Sequence, residues 1–409
     1  MDTVVMWNGK TFNVKCDPTL PVDAFLQKLQ NLTGVPVLKQ TLMMRRKQLK
    51  SGMSFPAGEV KEGYKFMLIG TAQIAPVWKD FKEEIVEEAP DEADEAATPA
   101  DAMVGCKNYG NTCYLNSCLQ TLRNIPDISK VIKEYKPDGK GDDLITAIAK
   151  FFNNPEQEYN RPTVVESLRI AHPDPYAAKD DQTGGYMQQD ATECMATLFK
   201  HFSTAFGPKF TDLFNMRLKT IVSDPTGEKP PKVTYSEDNS IDCHIDENVS
   251  SIEMGMFKPS DIESTEGGKI AVYHQVQQLD SLPKFFTVHL LRFTYREDEK
   301  TTAKILRRVN HPFRLDILSF ASDELRAQIA KARESDQTKG SGFYQLKAVL
   351  THQGRSANSG HYITHVKVND EWIRYNDEKV SVVTEEDIEN LKGSGDWHCS
   401  FLLIYQQIE

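Results

Sequence analysis

Between Glu83 and Asp101 the chain carries nine acidic residues and no basic one, interspersed with Ala and Pro. Such a stretch cannot bury enough apolar surface to offset the entropy of ordering it. Whatever the 409 residues fold into must therefore be built on either side of that break. The composition predicts a small domain over 1–72, an acidic tether over 73–102 whose charge solvates it, and a large domain over 103–409. Charge divides the same way, with ten Lys or Arg against five Asp or Glu in 1–72 and two against ten in 73–102. No long basic stripe with interleaved aromatics occurs, so nucleic acid is not an expected partner. No run approaches the roughly 18 apolar residues of a membrane helix, and the start lacks a basic-then-apolar leader, so neither secretion nor integral membrane association is expected.

In the small domain, VVMWN and TFNVKC alternate as two strands joined by a turn at Gly9 and Lys10. Val22, Phe25, Leu26, Leu29 and Leu32 then recur at helical spacing, and Gly34 with Pro36 supplies the stop. Two more apolar runs, TLMMR at 41–45 and KFMLIG at 65–70, complete a mixed β-grasp. A small α+β domain of unrelated use is the alternative.

Seven scattered cysteines with no C-x-x-C pair argue against a disulfide framework and against a zinc ribbon. The expectation is a reducing compartment, the cytoplasm with the nucleus also open, and no metal or cofactor. One cysteine stands apart. In GCKNYGNTCYLNSCLQTLRNIP, Asn111 or Thr112 can cap a helix carrying Leu115, Cys118, Leu119 and Leu122 on one face, which puts Cys113 in its first turn. Orphan N–H groups and the positive end of the helix dipole favour a thiolate there. Asn108, five residues earlier, offers an amide donor for an oxyanion. A cysteine at a helix start is by itself more often a buried small hydrophobe, so a partner histidine is needed.

About 250 residues later, GRSANSGHYITHVKVNDEWIRYNDEKVSVV runs from a small-residue loop into His361 and an alternating strand. A turn at Asn369 and Asp370 follows, then a second strand ending at Tyr375, then Asn376 and Asp377. Thiol, imidazole and an amide or carboxylate acceptor are the parts of a papain-like nucleophilic site. His365 falls on the same strand pattern and is assigned to structure, as are His289, His352 and His398.

The boxes GNTCYLNS and GHY with the later YND closely resemble the signatures of the ubiquitin-specific protease family. YMQQDATECMATLF (186–199) and LPKFFTVHLLRF (282–293) agree with it, so the resemblance spans 103–409. The order of elements before the tether, with RRKQLKSG, resembles ubiquitin-like domains. It ends in GTAQ and not in Gly-Gly, so it is expected to act as a built-in module. The chain as a whole is similar to a family member that associates with the proteasome.

The resemblance implies an α+β fold, a β-grasp ubiquitin-like domain ahead of a papain-like protease domain with thumb, palm and fingers. The fingers fall in 214–278, and a helix over 322–333 interrupts two strands. It implies Cys113 as nucleophile, His361 as base and Asn108 as oxyanion donor. Where many members have an Asp run, this chain has Asn376 as the aligned orienter, accepting from imidazole Nδ1–H, with Asp377 next to it, and which of the two dominates stays open. Asp190 and Glu193, three apart on a helix, would meet the basic tail of ubiquitin, while Gln120 and Tyr362 would line the channel for its Gly-Gly. Phe293 and Tyr295 read equally as core. The implied partners are ubiquitin and its conjugates, and the 26S proteasome regulatory particle through the first domain. A non-catalytic ubiquitin-binding adaptor is the alternative, with GRSANSG able to block the cleft, and another ubiquitin-like modifier as substrate is a third reading.

Overall fold

The computed structural model describes residues 1–69 and 104–408, apart from 8–9, 34, 36, 38–39, 45–46, 57–59, 62, 137–142, 156–162, 182, 267–268, 297–300, 336–337, 357–358 and 394–397. The chain divides into two units, Met1–Glu95 and Ala96–Glu409. The expected tether, the GTAQ end and Gly9 lie outside the described residues.

In the first unit, β1 (Asp2–Trp7), β2 (Lys10–Lys15), β3 (Thr41–Met44), β4 (Lys47–Leu49) and β5 (Tyr64–Ile69) form one sheet in the order β2-β1-β5-β3-β4. β1 and β5 run parallel and the other neighbours antiparallel. Helix α1 (Val22–Thr33) covers one face through Val22, Phe25, Leu26 and Leu29, which join Val5, Leu42 and Phe66 in the core. Alternation along β5 is strict, with Phe66 and Leu68 inward and Met67 and Ile69 half exposed. In the first turn of α1, Asp23 accepts from the Gly52 N–H at 2.8 Å and from the Ser51 hydroxyl, fastening the helix start to a turn. This is a β-grasp. β4 escapes a pattern reading because it is three residues long with only Leu49 buried.

The second unit opens with a helical half: α2 (Cys113–Arg123), α3 (Pro126–Lys133), α4 (Asp143–Asn153), α5 (Thr163–Ala171), α6 (Ala191–Phe206) and α7 (Pro208–Phe214). Their apolar faces share one core with one face of a large sheet. That sheet runs β18 (Lys379–Val383), β17 (Glu371–Asn376), β16 (Ser359–Val368), β15 (Phe343–Ser356), β19 (Cys399–Gln407), β11 (Phe285–Leu290), β8 (Ile241–Cys243), with β14 (Arg314–Asp316) added at β15. Both faces are covered. Leu402 and Ile404 face the helices, while Leu403 and Tyr405 face a second core. The second core also takes Leu325 and Ile329 of α8 (Asp323–Glu334), the expected interrupting helix, whose N-cap Ser322 accepts from Leu325 N–H. Helix α9 (Glu385–Glu389) starts in a capping box between Thr384 and Asp387.

A separate four-stranded sheet, β7 (Lys232–Asp238), β6 (Met216–Ser223), β10 (Lys269–Leu279), β9 (Ser260–Glu266), stands where the fingers are expected, and every residue of β7 is exposed. A two-stranded ribbon, β12 (Phe293–Arg296) with β13 (Thr301–Lys304), completes the strands. All seven cysteines are buried and unpaired with one another.

Candidate active site

Helix α2 lies across β16 and against α6, which sets the thiol beside the strand that carries the imidazole. Thr121 on α2 and Thr364 on β16 hold that contact with a buried hydroxyl pair 2.7 Å apart. The loop into α2 is closed on itself. Asn108 Oδ1 accepts from the N–H groups of Gly110 (3.0 Å) and Thr112 (3.2 Å). Thr112 occupies the N-cap position, but its hydroxyl accepts from Tyr109 N–H at 3.0 Å and caps nothing in the helix. Asn111, the other expected cap, sits at φ 55° with its amide donating to the Tyr186 carbonyl at 2.9 Å.

Cys113 is the first residue of α2 and only 2 % exposed. Burial pushes its thiol up to about 11, which a hydrogen bond from the Tyr362 backbone opposes and the neighbouring Asp377 carboxylate reinforces. Burial thus works against the thiolate that the helix start is expected to favour. Desolvation of a site this closed outweighs the field of one helix terminus.

His361 follows Gly360, where a Cβ would lie 2.2 Å from the Gln353 carbonyl oxygen and 2.5 Å from His352 Nε2. Only glycine fits that approach at φ 139°. The stretch expected as a loop ahead of His361 is largely strand, with β15 reaching Ser356 and β16 starting at Ser359. Beyond His361, Asn369 (φ 48°) and Asp370 (φ 67°) make a two-residue hairpin turn of the I′ kind that returns β17 beside β16. That hairpin delivers Asn376 one residue past the Thr364–Tyr375 pair, and its Oδ1 lies 2.6 Å from His361 Nε2. The expected acceptor meets the far ring nitrogen, Nε2, and not Nδ1, because it reaches the ring from across the strand.

Asp377 stands 3.9 Å from His361 Nε2 and has other work. Its Oδ2 accepts from Asn108 Nδ2 and its Oδ1 from Asn116 Nδ2, each at 2.8 Å. Its carbonyl accepts from Cys106 N–H at 2.7 Å, and a Cβ on Gly105 would lie within 2.6 Å of the carbonyl oxygens of both Asp377 and Glu378. The Asp377 turn, at φ 49°, is thereby clamped onto the irregular segment leading to the thiol. Asn116, three residues after Cys113, went unrecognised in the sequence. Its place one helical turn below the thiol, in the box YLNS, was the available signal.

Asn108, Asn376, Asp377 and His361 are thus joined by direct contacts, with Cys113 beside them through the Tyr362 backbone. Three other expected site residues have structural partners of their own. Gln120 is 1 % exposed, and its amide is spent on the Val104 carbonyl (2.7 Å), Cys106 Sγ (3.2 Å) and Arg123 Nε (3.2 Å), so it braces α2. The Tyr362 side chain is also 1 % exposed, its ring 4.6 Å from that of His352. Asp190 is the N-cap of α6, its Oδ1 accepting from Thr192 N–H (2.7 Å) and Glu193 N–H (3.2 Å), which leaves Glu193 as the exposed carboxylate of the pair.

His365 is 3 % exposed in β16, and among the described residues no cluster of His, Cys, Asp or Glu could hold a metal. His398 lies edge-on to His361, ring centroids 6.0 Å apart. Phe293 packs against His352 and Phe401 as a core residue; the side chain of Tyr295 lies outside the described residues. No helix among the described residues is long and apolar enough to cross a membrane.

A family model described as ubiquitin carboxyl-terminal hydrolase matches residues 104–405. Ubiquitin carboxyl-terminal hydrolase 6 of Arabidopsis thaliana is 30% identical, the match covering 99% of each chain. Ubiquitin carboxyl-terminal hydrolase 14 of Caenorhabditis elegans is 26% identical over 98% of this chain and 92% of its own. Among solved structures, the SAGA Ubp8/Sgf11/Sus1/Sgf73 DUB module bound to ubiquitin aldehyde superposes with a TM-score of 0.60 at 18% identity, covering 77% of this chain and 72% of that one.

Proposed function

Because this chain belongs to the ubiquitin carboxyl-terminal hydrolase family and is a cysteine deubiquitinase, we propose that it cuts the isopeptide bond after the terminal glycine of ubiquitin on conjugates held at the 26S proteasome. The first unit would dock on the regulatory particle, and the second would trim chains and recycle ubiquitin in the cytoplasm and nucleus. Support for docking comes from the β-grasp unit ahead of the hydrolase unit.

In the proposed mechanism Cys113 Sγ attacks the glycine carbonyl carbon while His361 Nδ1 takes the thiol proton. The carbonyl oxygen becomes an oxyanion, and Asn108 Nδ2 turns one N–H toward it. Asn376 holds His361 by Nε2 and fixes the tautomer that leaves Nδ1 as the base. His361 then protonates the departing lysine amine, and the C–N bond breaks to leave a thioester. Water, deprotonated by the same imidazole, hydrolyses it and restores the thiol. Asn376 is neutral, so the charge facing the imidazolium comes from Asp377, which also aims Asn108. Glu193 would meet the cationic tail of ubiquitin at the cleft mouth. The observation that carries this reading is the 2.6 Å contact between His361 and Asn376 with Asp377 bridging Asn108 and Asn116 beside it.

One observation favours a second reading, a ubiquitin-binding adaptor: Cys113 is 2 % exposed, so the resting site is closed to a bulky substrate. The two are separated by labelling with ubiquitin bearing a thiol-reactive C-terminal warhead, with and without proteasomes, using Cys113→Ala as control. Labelling of Cys113 that proteasomes raise is expected. None under either condition would sink the hydrolase reading in favour of the adaptor, and labelling that proteasomes leave unchanged would remove the docking claim alone.

A further inference from the structure

We infer that Asn111 is a positioning residue for the thiol, tying the loop of Asn108 and Cys113 to a strap at 178–187 that Arg169 holds against α5; this rests on the reading of Cys113 as nucleophile. The chain turns left-handed twice in succession ahead of α2, at Gly110 (φ 84°) and Asn111 (φ 55°). Asn is among the few side chains that tolerate this conformation, and here it gains a bond by it. Its Nδ2 reaches the Tyr186 carbonyl at 2.9 Å, 75 residues onward.

The acceptor is itself fixed. Tyr186 pairs with Lys179 in a β-bridge, Met187 N–H donates to the Ala178 carbonyl at 2.9 Å, and the Asp180–Gly185 turn is closed by Asp180 N–H to the Gly185 carbonyl at 2.8 Å. The Tyr186 ring lies 3.4 Å from the Arg169 guanidinium carbon and 5.2 Å from Lys179 Nζ. Arg169 Nε is buried without a hydrogen-bond partner, and the Tyr186 ring lies over the guanidinium there. Arg169 grows from α5, whose Val164, Val165 and Leu168 are in the helical core. A line of contact therefore runs from that core through Arg169 and Tyr186 to the residue two before the thiol. Asn108 lies on the same closed loop, so one tie sets the direction of both the attacking sulfur and the oxyanion donor.

The test uses the full chain and a fluorogenic ubiquitin amide. Asn111→Gly keeps φ 55° without strain and deletes only the tie, and kcat should fall about tenfold with KM within about twofold. Arg169→Gln, remote from the thiol, should lower kcat about threefold, and the double variant should be no slower than Asn111→Gly alone, since the tie is already cut. Wild-type kcat in Asn111→Gly, or rates that multiply in the double variant, would overturn the inference. Should Asn111→Gly fail to fold, wild-type kcat in Arg169→Gln would do the same. Turnover retained by Cys113→Ala, run alongside, would instead strike at the nucleophile assignment.

Discussion

Three buried histidines should make the stability of the hydrolase unit steeply dependent on mild acid. His311, His352 and His365 are at most 3 % exposed, and each is pushed down to about 3. Burial is the first cause in every case. Cations add to it: Lys392, Arg292 and Arg308 around His311, Lys304 around His352, and Arg374 at His365, where Asp387 pulls the other way. In the unfolded chain these rings titrate near 6.5, so below that pH the unfolded state binds more protons and stability falls as pH falls. The loss begins near pH 6.5 and ends only near pH 3. Between pH 7.5 and 5.5 each ring costs about 1.4 kcal/mol, or about 4 kcal/mol for the three, a large share of the roughly 5–15 kcal/mol of an ordinary domain. This figure requires only that the folded values lie well under 5.5. Carboxylates titrate near 4 and contribute little in that window, while His398, lowered in the same way but partly exposed, adds in the same direction. Urea unfolding at the two pH values measures the difference, and His365→Gln should reduce it by about 1.4 kcal/mol whatever it does to stability at pH 7.5. A difference under about 1 kcal/mol, or one that His365→Gln leaves unchanged, would refute the argument.

Alkylation of Cys113 by iodoacetamide should rise about tenfold per pH unit past pH 9, since a thiol held at about 11 is almost entirely protonated at neutral pH, and a plateau near pH 8 would contradict it. Gly105→Ala should lower stability by about 2–4 kcal/mol and activity with it, because the new methyl meets backbone oxygens at 2.5 and 2.6 Å; an unchanged thermal melt would count against the clamp. Asp377→Asn should lower kcat about tenfold or more, by setting an N–H against one of the two amide donors that now meet carboxylate oxygens. Asn376→Asp should leave turnover similar or raised, since the acceptor on His361 Nε2 is kept and gains charge; a fluorogenic ubiquitin amide reports both.

Much of the fold is legible because the signals are local. Alternation in KFMLIG and the helical spacing from Val22 to Leu29 each name a face that the structure buries. The Cys113 and His361 boxes are recognisable for the same reason, each being a run whose turn and strand chemistry is self-contained. What the sequence withholds is pairing at a distance. Asn116 and Asp377 are 261 residues apart, and nothing near either one announces the other. The bonds from Gln120 to the Val104 carbonyl and Cys106 Sγ, 16 and 14 residues away, are likewise announced by nothing beside it. Asp190 and Glu193 look equivalent until the helix start is located, after which one is a cap and the other a free charge. The ring nitrogen that meets Asn376 depends on the side from which β17 approaches, a property of the hairpin and not of any motif.

β19 is flanked by β15 and β11, well inside the large sheet, although it is made after every other strand of that sheet. On the ribosome, Cys113 emerges about 250 residues before His361 and nearly 300 before the strand that joins the two halves of that sheet. At a synthesis rate of about 5–20 residues per second, the nascent thiol spends on the order of tens of seconds with neither base nor closed sheet. The sheet that carries the imidazole can therefore close only late in synthesis, once β19 is free to pair between β15 and β11.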